Sequence, residues 1–305
     1  MPRAELEYPK RPLGTVNRYS PRASYSLRVI HGIVNTCPTL HMGSFDRASS
    51  DEGDVLDLYL HGYVSSRVMN LTRRPATDDS PSGLPVTVAA THVDGLVLAL
   101  TPNSHSYNYR SAVLFGHATL VETDDEKLYA MELITDSVVA GRWQNSRIPP
   151  NKAEMSSTSV LKVRIATGSA KIRSGPPGDE KHDMENPAVV STVWTGVVPV
   201  HMSLGAPIAG PYNAVDKVPA YLEEYIKSMN EKHDMEDPAV VGNVWTGVVP
   251  VHMSLGAPIA GPYNAVDKVP AYLEEYIKSM NEVGVDHSVK AAEASAKPGK
   301  KPVDD

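Results

Sequence analysis

The chain has 305 residues, with 29 Lys and Arg against 36 Asp and Glu and a formal net charge of −7, and its isoelectric point lies near 5.9. That balance leaves no basic footprint for a phosphate backbone, so nucleic acid is excluded as an expected partner. No run approaches the ~18 to 20 apolar residues that span a bilayer, and the first twenty residues lack the apolar stretch of a secretory signal, so no membrane association is expected. The single Cys37 forbids an intrachain disulfide, fits a reducing, cytoplasmic compartment and reads as a buried, inert thiol.

Residues 1–19, rich in Pro and Arg, read as an extended arm, and Ser20-Pro21 as the cap and first turn of a helix that places Leu27, Ile30, His31 and Val34 on one face. From Pro38 to Asp57 the periodicity fails. Leu58 to His61 reads as a short strand, followed by Gly62 and a helix, SSRVMNLTRR, that Pro75 ends. Leu84–Thr91 and Leu96–Thr101 read as two buried strands of a hairpin, because Asp94-Gly95 between them suits a type I′ turn. Tyr109 to Glu122 is a longer strand whose Gly116 suggests a bulge. Thr123 and Glu126 form a capping box, and Leu128, Met131, Ile134 and Val138 give a helical stripe. Ser159 to Ile165 alternates apolar residues with Lys162 and Arg164, the period of a half-exposed strand, with Ala170–Arg173 returning beside it.

Glu180 to Asn230 recurs as Glu231 to Asn281 with differences only at Asn186/Asp237, Ser191/Gly242 and Thr192/Asn243, so that Trp194 returns as Trp245. Two copies are too few for a solenoid, which needs about three units to bury its faces. A recent tandem duplication leaves one copy to complete the fold and one surplus. Each copy predicts a strand from Val193 to Val200, a turn-rich stretch from Gly205 to Tyr212 and a short amphipathic helix from Pro219 to Met229. The expected organisation is an arm (1–19), a main body with the first copy (20–230), the duplicate (231–281) and a disordered tail (282–305). Antiparallel strands with helices outside them suggest an α+β small barrel.

No phosphate loop, nucleophile elbow, HExxH or paired CxxC is present, and no catalytic residue can be named. The clusters His182–Glu185 and His233–Glu236 read as solvated linker, not metal ligands, and Trp194 and Trp245 as packing residues. The best constellation is His61-Gly62-Tyr63-Val64-Ser65-Ser66-Arg67, with Asn108-Tyr109-Arg110-Ser111 on the long strand. Hydroxyls, a guanidinium and the free N–H groups of a helix start suit a phosphate monoester. A solvated helix start with an ordinary surface Arg is the other reading.

The blocks DLYLHGYVSSRVMNL, NYRSAVLFGHATLVETDDEK, RWQNSRIPP and VWTGVVPV together resemble the flavin-nucleotide-binding branch of the pyridoxamine-5′-phosphate-oxidase-like family, the branch related to nitroimidazole-resistance flavoproteins and common in fungi. The resemblance implies an antiparallel split β-barrel with peripheral helices, a homodimer, and one FMN per subunit at the dimer interface. By position, Ser65, Ser66 and Arg67 would grip the FMN phosphate, His61 and Gly62 would lie by the ring edge or ribityl chain, and Tyr109, Arg110 and Ser111 would line the pocket. The implied activity is oxidoreduction of a small organic molecule. The alternatives are a flavin or haem binder without turnover, or an inactive product of a deleted and duplicated gene. Relatives usually carry about twenty more residues between the first helix and the LYLHG block, and the second WTGVVP strand must replace the first, pair outside the barrel or swap between subunits.

Overall fold

The computed structural model describes residues 5–46, 51–73, 83–211, 213–215, 217–231 and 246–293. The chain forms two compact units, residues 1–94 with 107–175 and residues 95–106 with 176–305.

The first unit contains β1 (Ala23–Ser24), α1 (Leu27–Asn35), β2 (His41–Gly43), β3 (Asp57–Tyr63), α2 (Arg67–Thr72), most of β4 (Leu84–Leu98), β5 (Ser106–Leu120), α3 (Asp124–Val138), α4 (Lys152–Ser157) and β6 (Thr158–Arg173). Its strands lie in the order β4-β5-β6-β3-β2, with β1 also on β6, and β6 pairs antiparallel with β1, β3 and β5. The architecture is α+β with an antiparallel sheet, as expected, but among the described residues the sheet is not closed into a barrel.

Ser26, not Ser20, caps α1, its Oγ accepting from the Val29 N–H. Ser20 and Pro21 form an isolated 3-10 turn, and β1 then docks on β6 before the helix starts. The expected face holds: Leu27, Ile30, His31 and Val34 are buried, joined by Ile33, and they pack with Leu58, Leu114, Leu161 and Val163 in the main core. The described part of the arm, residues 5–19, includes a 3-10 turn at Pro12–Gly14 and is docked. Tyr8 is buried in that core, and the Pro9 carbonyl accepts from Thr167 Oγ1 at 2.6 Å. The stretch read as aperiodic supplies β2, whose Met42 is buried opposite Leu58.

The hairpin at Asp94-Gly95 does not form; β4 runs straight through it. Two tertiary interactions override the turn chemistry. Arg110 on β5 takes the Asp94 carboxylate in a two-point ion pair (2.8 and 2.9 Å), and Gly95–Leu98 pair with Pro199–Gly196 in the second unit. The bulge at Gly116 is present. Phe115 faces Thr167 and Gly116 faces Ile165, so Ala166 is the extra residue, and a Cβ on Gly116 would lie 2.3 Å from the Arg164 carbonyl oxygen.

Thr123 caps α3 as expected, but the Glu126 carboxylate turns inward instead of closing the box, and the buried face is Ala130 and Ile134 with Tyr129 and Leu133, so that of the predicted stripe only Ile134 is fully buried. Val138 is exposed. The strand read as half-exposed is the central β6, flanked on both edges, and it continues unbroken through Ala170–Arg173. Lys162 is therefore buried.

The second unit contains α5 (Lys181–Met184), α6 (Pro187–Val190), β7 (Gly196–Leu204), β8 (Ile208–Ala209), α7 (Ala220–Glu231), β9 (Gly247–Val248), β10 (Val251–Leu255), β11 (Ile259–Ala260) and α8 (Ala271–Glu293). Trp194, Val198 and Leu273 centre its core, with Leu96, Leu98, Leu255 and Ile277 against them. The second copy pairs with the first, β10 and β11 both lying along β7 and β9 along β8. Residues 282–293, expected to be disordered, continue α8, with a Lys290–Asp286 pair one turn apart supporting it. Residues 294–305, Pro75, Trp245 and His233–Glu236 lie outside the described residues. His182 lies in α5, exposed and 3.0 Å from Asp183, and among the described residues no group of His, Cys, Asp and Glu could hold a metal ion. Among the same residues no helix is long and apolar enough to cross a membrane.

Candidate functional site

The β3–α2 junction gathers five of the expected site residues. β3 runs antiparallel to β6, His61 opposite Val160 and Gly62 opposite Ser159. The chain then reverses, the Ser66 N–H donating to the Tyr63 carbonyl (2.9 Å) and the Val64 N–H to Ser157 (2.9 Å), which aims the start of α2 across the strand end. Ser66 is the N-cap residue, yet its side chain makes no capping bond. Its Oγ is buried and has no hydrogen-bond partner among the described residues. A Cβ on Gly62 would meet the end of the Met69 side chain at 3.1 Å and Ser66 Oγ at an ordinary contact distance of 3.9 Å. Ser65 and Arg67 are exposed, and among the described residues Arg67 makes no ion pair. Asn70 braces the turn, its side-chain N–H donating to the Ser65 carbonyl at 3.0 Å. The first turn of α2 thus carries an unsatisfied hydroxyl at Ser66 and, next to it in the chain, the exposed Arg67, at a helix start where an anion is favoured.

Tyr109, Arg110 and Ser111 sit elsewhere. They lie on β5 opposite Arg173, Ile172 and Lys171, about a dozen residues along β6 from the partners of His61 and Gly62, or roughly 35 to 40 Å of strand contour. Across β6 from His61 is Val121, whose N–H reaches the Val160 carbonyl. Arg110 is held by Asp94, which raises its already high pKa through the hydrogen-bonded ion pair. Ser111 Oγ donates to the Lys171 carbonyl at 3.2 Å. Within one chain the two groups of site residues are not brought together.

Two further clusters escaped the sequence reading. Lys162 Nζ lies 2.8 Å from Asp46, 2.7 Å from Glu126 and 3.7 Å from Asp57, and Tyr59 donates to Glu126 at 2.9 Å. Burial alone would lower the Lys162 pKa, but the bonds to Asp46 and Glu126 and the charge of Asp57 carry it above its usual value. Lys162 and Glu126 line a cavity of about 350 Å³ with His117 and Arg164. The inward turn of Glu126 had no sequence signal, because a capping box accounts for the same residue.

The second cluster centres on His41. It is buried on β2 with its Nδ1 lacking any hydrogen-bond partner among the described residues, and it borders a cavity of about 600 Å³ with Asn35, Tyr129, Glu132 and Asp136. Burial, and then the nearby His61, lower its pKa, so the imidazole is neutral near pH 7. The aperiodic sequence around it hid this position.

Residues 42–172 match the family model of pyridoxamine 5′-phosphate oxidase. Among solved structures the chain is similar to the flavocytochrome Anf3 of Azotobacter vinelandii, with 24% identity, a TM-score of 0.56, and coverage of 70% of this chain and 97% of that one. It is also similar to an FAD and heme binding protein of Mycobacterium smegmatis, with 25% identity, a TM-score of 0.52, and coverage of 67% and 97%. A 5-nitroimidazole resistance protein of Bacteroides thetaiotaomicron, at 19% identity and a TM-score of 0.31 over 47% of this chain and 81% of that one, carries no weight on the branch. No curated protein matches the chain.

Proposed function

We propose that the chain binds a flavin nucleotide, FMN, and works as a homodimeric oxidoreductase on a small organic molecule. The observation that carries this is the β3–α2 junction, where the Ser66 hydroxyl at the start of α2 is buried and has no hydrogen-bond partner among the described residues, with the exposed Arg67 beside it in the chain. Those donors suit the two oxygens and negative charge of a phosphate monoester. FMN would bring the redox chemistry with it, which leaves the chain to hold the phosphate, orient the ring and shape the pocket. Ser66 would satisfy its hydroxyl on the phosphate, Ser65 and Arg67 would close over it, and His61 would border the ring or ribityl chain. Tyr109, Arg110 and Ser111 lie too far along β6 to join them in one chain, and a site shared between two chains is the arrangement in which both groups line one pocket. The match over residues 42–172 supports the flavin reading.

The test is a visible spectrum of the purified chain and an FMN titration. Flavin bands, with FMN released on denaturation at about one per subunit, are expected. Arg67→Ala should weaken FMN binding by about 1.5 to 3 kcal/mol, roughly 10- to 150-fold, while leaving the melting temperature unchanged. A colourless protein that takes up no FMN would sink the proposal.

A second reading, a flavin or haem carrier without turnover, has its own observation in the buried imidazole of His41, whose Nδ1 has no hydrogen-bond partner among the described residues, beside a cavity, together with the names of two similar structures, a flavocytochrome and an FAD and heme binding protein. A Soret band that His41→Ala removes would favour it. Its absence from protein incubated with haem would leave flavin alone.

A further inference from the structure

The two copies of the 51-residue unit meet around a local two-fold axis. β7 and β10 are the same stretch of sequence taken once from each copy, and they pair antiparallel with Met202 opposite Met253, its own repeat. Every neighbouring pair is accordingly reciprocal: Val200 faces Leu255, and Leu204 faces Val251. The flanking hydrogen bonds obey the same symmetry. The Thr195 N–H donates to the Asn264 side chain at 3.1 Å, and the Thr246 N–H donates to the Asn213 side chain at 3.1 Å. The Gly261 N–H reaches the Thr195 carbonyl and the Gly210 N–H reaches the Thr246 carbonyl, both at 2.8 Å. The Gly205 N–H meets the Pro250 carbonyl at 2.7 Å, and the Gly256 N–H meets the Pro199 carbonyl at 2.8 Å. β11 lies on β7 as β8 lies on β9.

A surface whose residue i contacts residue j while j contacts i is the signature of an isologous interface between identical subunits. Here both halves belong to one chain. The surroundings of the halves differ in the sense this implies. Gly196–Pro199 in the first copy also pair with β4, whereas among the described residues the equivalent Gly247–Pro250 have no such strand. Val200 is 9% exposed and its repeat Val251 49%. The second copy is thus the contacting segment of a subunit without the rest of that subunit.

We propose that β7 and its flanks form a self-complementary docking surface for a second copy of this same chain segment, and that the tandem duplicate fills that surface within the chain, in place of a partner subunit. The surface is distinct from the β3–α2 junction, and the inference does not depend on flavin binding.

The register supplies the test. Gly205/Pro250 and Gly256/Pro199 are hydrogen-bonded pairs, so by alternation Met202/Met253 is a non-bonded pair with Cα atoms about 4.5 Å apart, within reach of a disulfide. In full chains carrying Cys37→Ser, the double variant Met202→Cys/Met253→Cys is expected to oxidise within single chains, at the mass of one chain. Met202→Cys alone is expected to stay uncrosslinked, because its neighbour is Met253. Adding His252→Pro and Ser254→Pro removes the two N–H groups of β10 that face β7; with Met202→Cys, two chains should then join through position 202, giving a disulfide-linked dimer. The prolines must also abolish the single-chain cross-link of the double-cysteine variant. Failure of that double variant to close within one chain, dimeric cross-linking by Met202→Cys alone, persistence of the single-chain cross-link with the prolines, or no dimeric cross-link once they free the surface would each overturn the proposal.

Discussion

Lys162 keeps its ammonium in a site where only 8% of its side chain meets solvent, because three carboxylates receive it there. Removing the cation alone would leave Glu126 and Asp57, themselves little exposed, facing each other without a counter-charge. Lys162→Met should therefore destabilise the first unit by about 3 kcal/mol, read from urea midpoints, and Lys162→Met/Glu126→Gln should recover part of the loss. His31 poses the opposite problem, a buried base with no counter-charge. Its Nδ1–H donates to the Glu52 carbonyl and its Nε2 accepts from Tyr8, both at 2.7 Å, which fixes the neutral tautomer; burial lowers its pKa to about 4. The unfolded chain, with a His pKa of about 6.5, holds more protons between these values. The stability from His31 is full above about pH 6.5, falls by about 3 kcal/mol as the pH drops towards 4, and changes no further below. His31→Gln should flatten this part of the stability–pH profile relative to the parent, and equal slopes would contradict the account.

At the scale of elements, the sequence patterns succeeded where one local cause decides the outcome and failed where a distant strand does. The face of α1, the bulge at Gly116 and the helix start after Gly62 follow from periodicity, a missing Cβ and a polar cap position. Asp94-Gly95 has the chemistry of a tight turn, yet Arg110 and β7 are remote in sequence and claim both residues for an extended strand. The same holds for Lys162, whose alternation is that of an exposed position until strands on both edges of β6 and three carboxylates are known. The site is half legible: the β3–α2 residues lie together at one strand–helix junction, whereas the placement of Tyr109–Ser111 at the far end of β6 depends on strand order, which periodicity does not encode. Gly116→Ala tests the local kind of determinant. Its methyl group would press on the Arg164 carbonyl at 2.3 Å and should cost about 1 to 3 kcal/mol in the melting profile; an unchanged melting temperature would contradict the account.

For the molecule as a whole, two units with separate cores make a single unfolding free energy an unsafe description. Leu273→Ala, at a position 4% exposed in the core of the second unit, should remove about 2 to 4 kcal/mol from that unit alone. Calorimetry should show one transition lowered and another unmoved; a uniform shift of all transitions would show that the units unfold together. The reciprocal pairing of β7 with β10 also separates this chain from any assembly held together by the same contacts between molecules. Subunits part when diluted below their dissociation constant, but halves joined by a chain face each other at an effective concentration on the order of millimolar. The β7 surface therefore stays covered at nanomolar protein, where a two-molecule version of the same interface would have come apart.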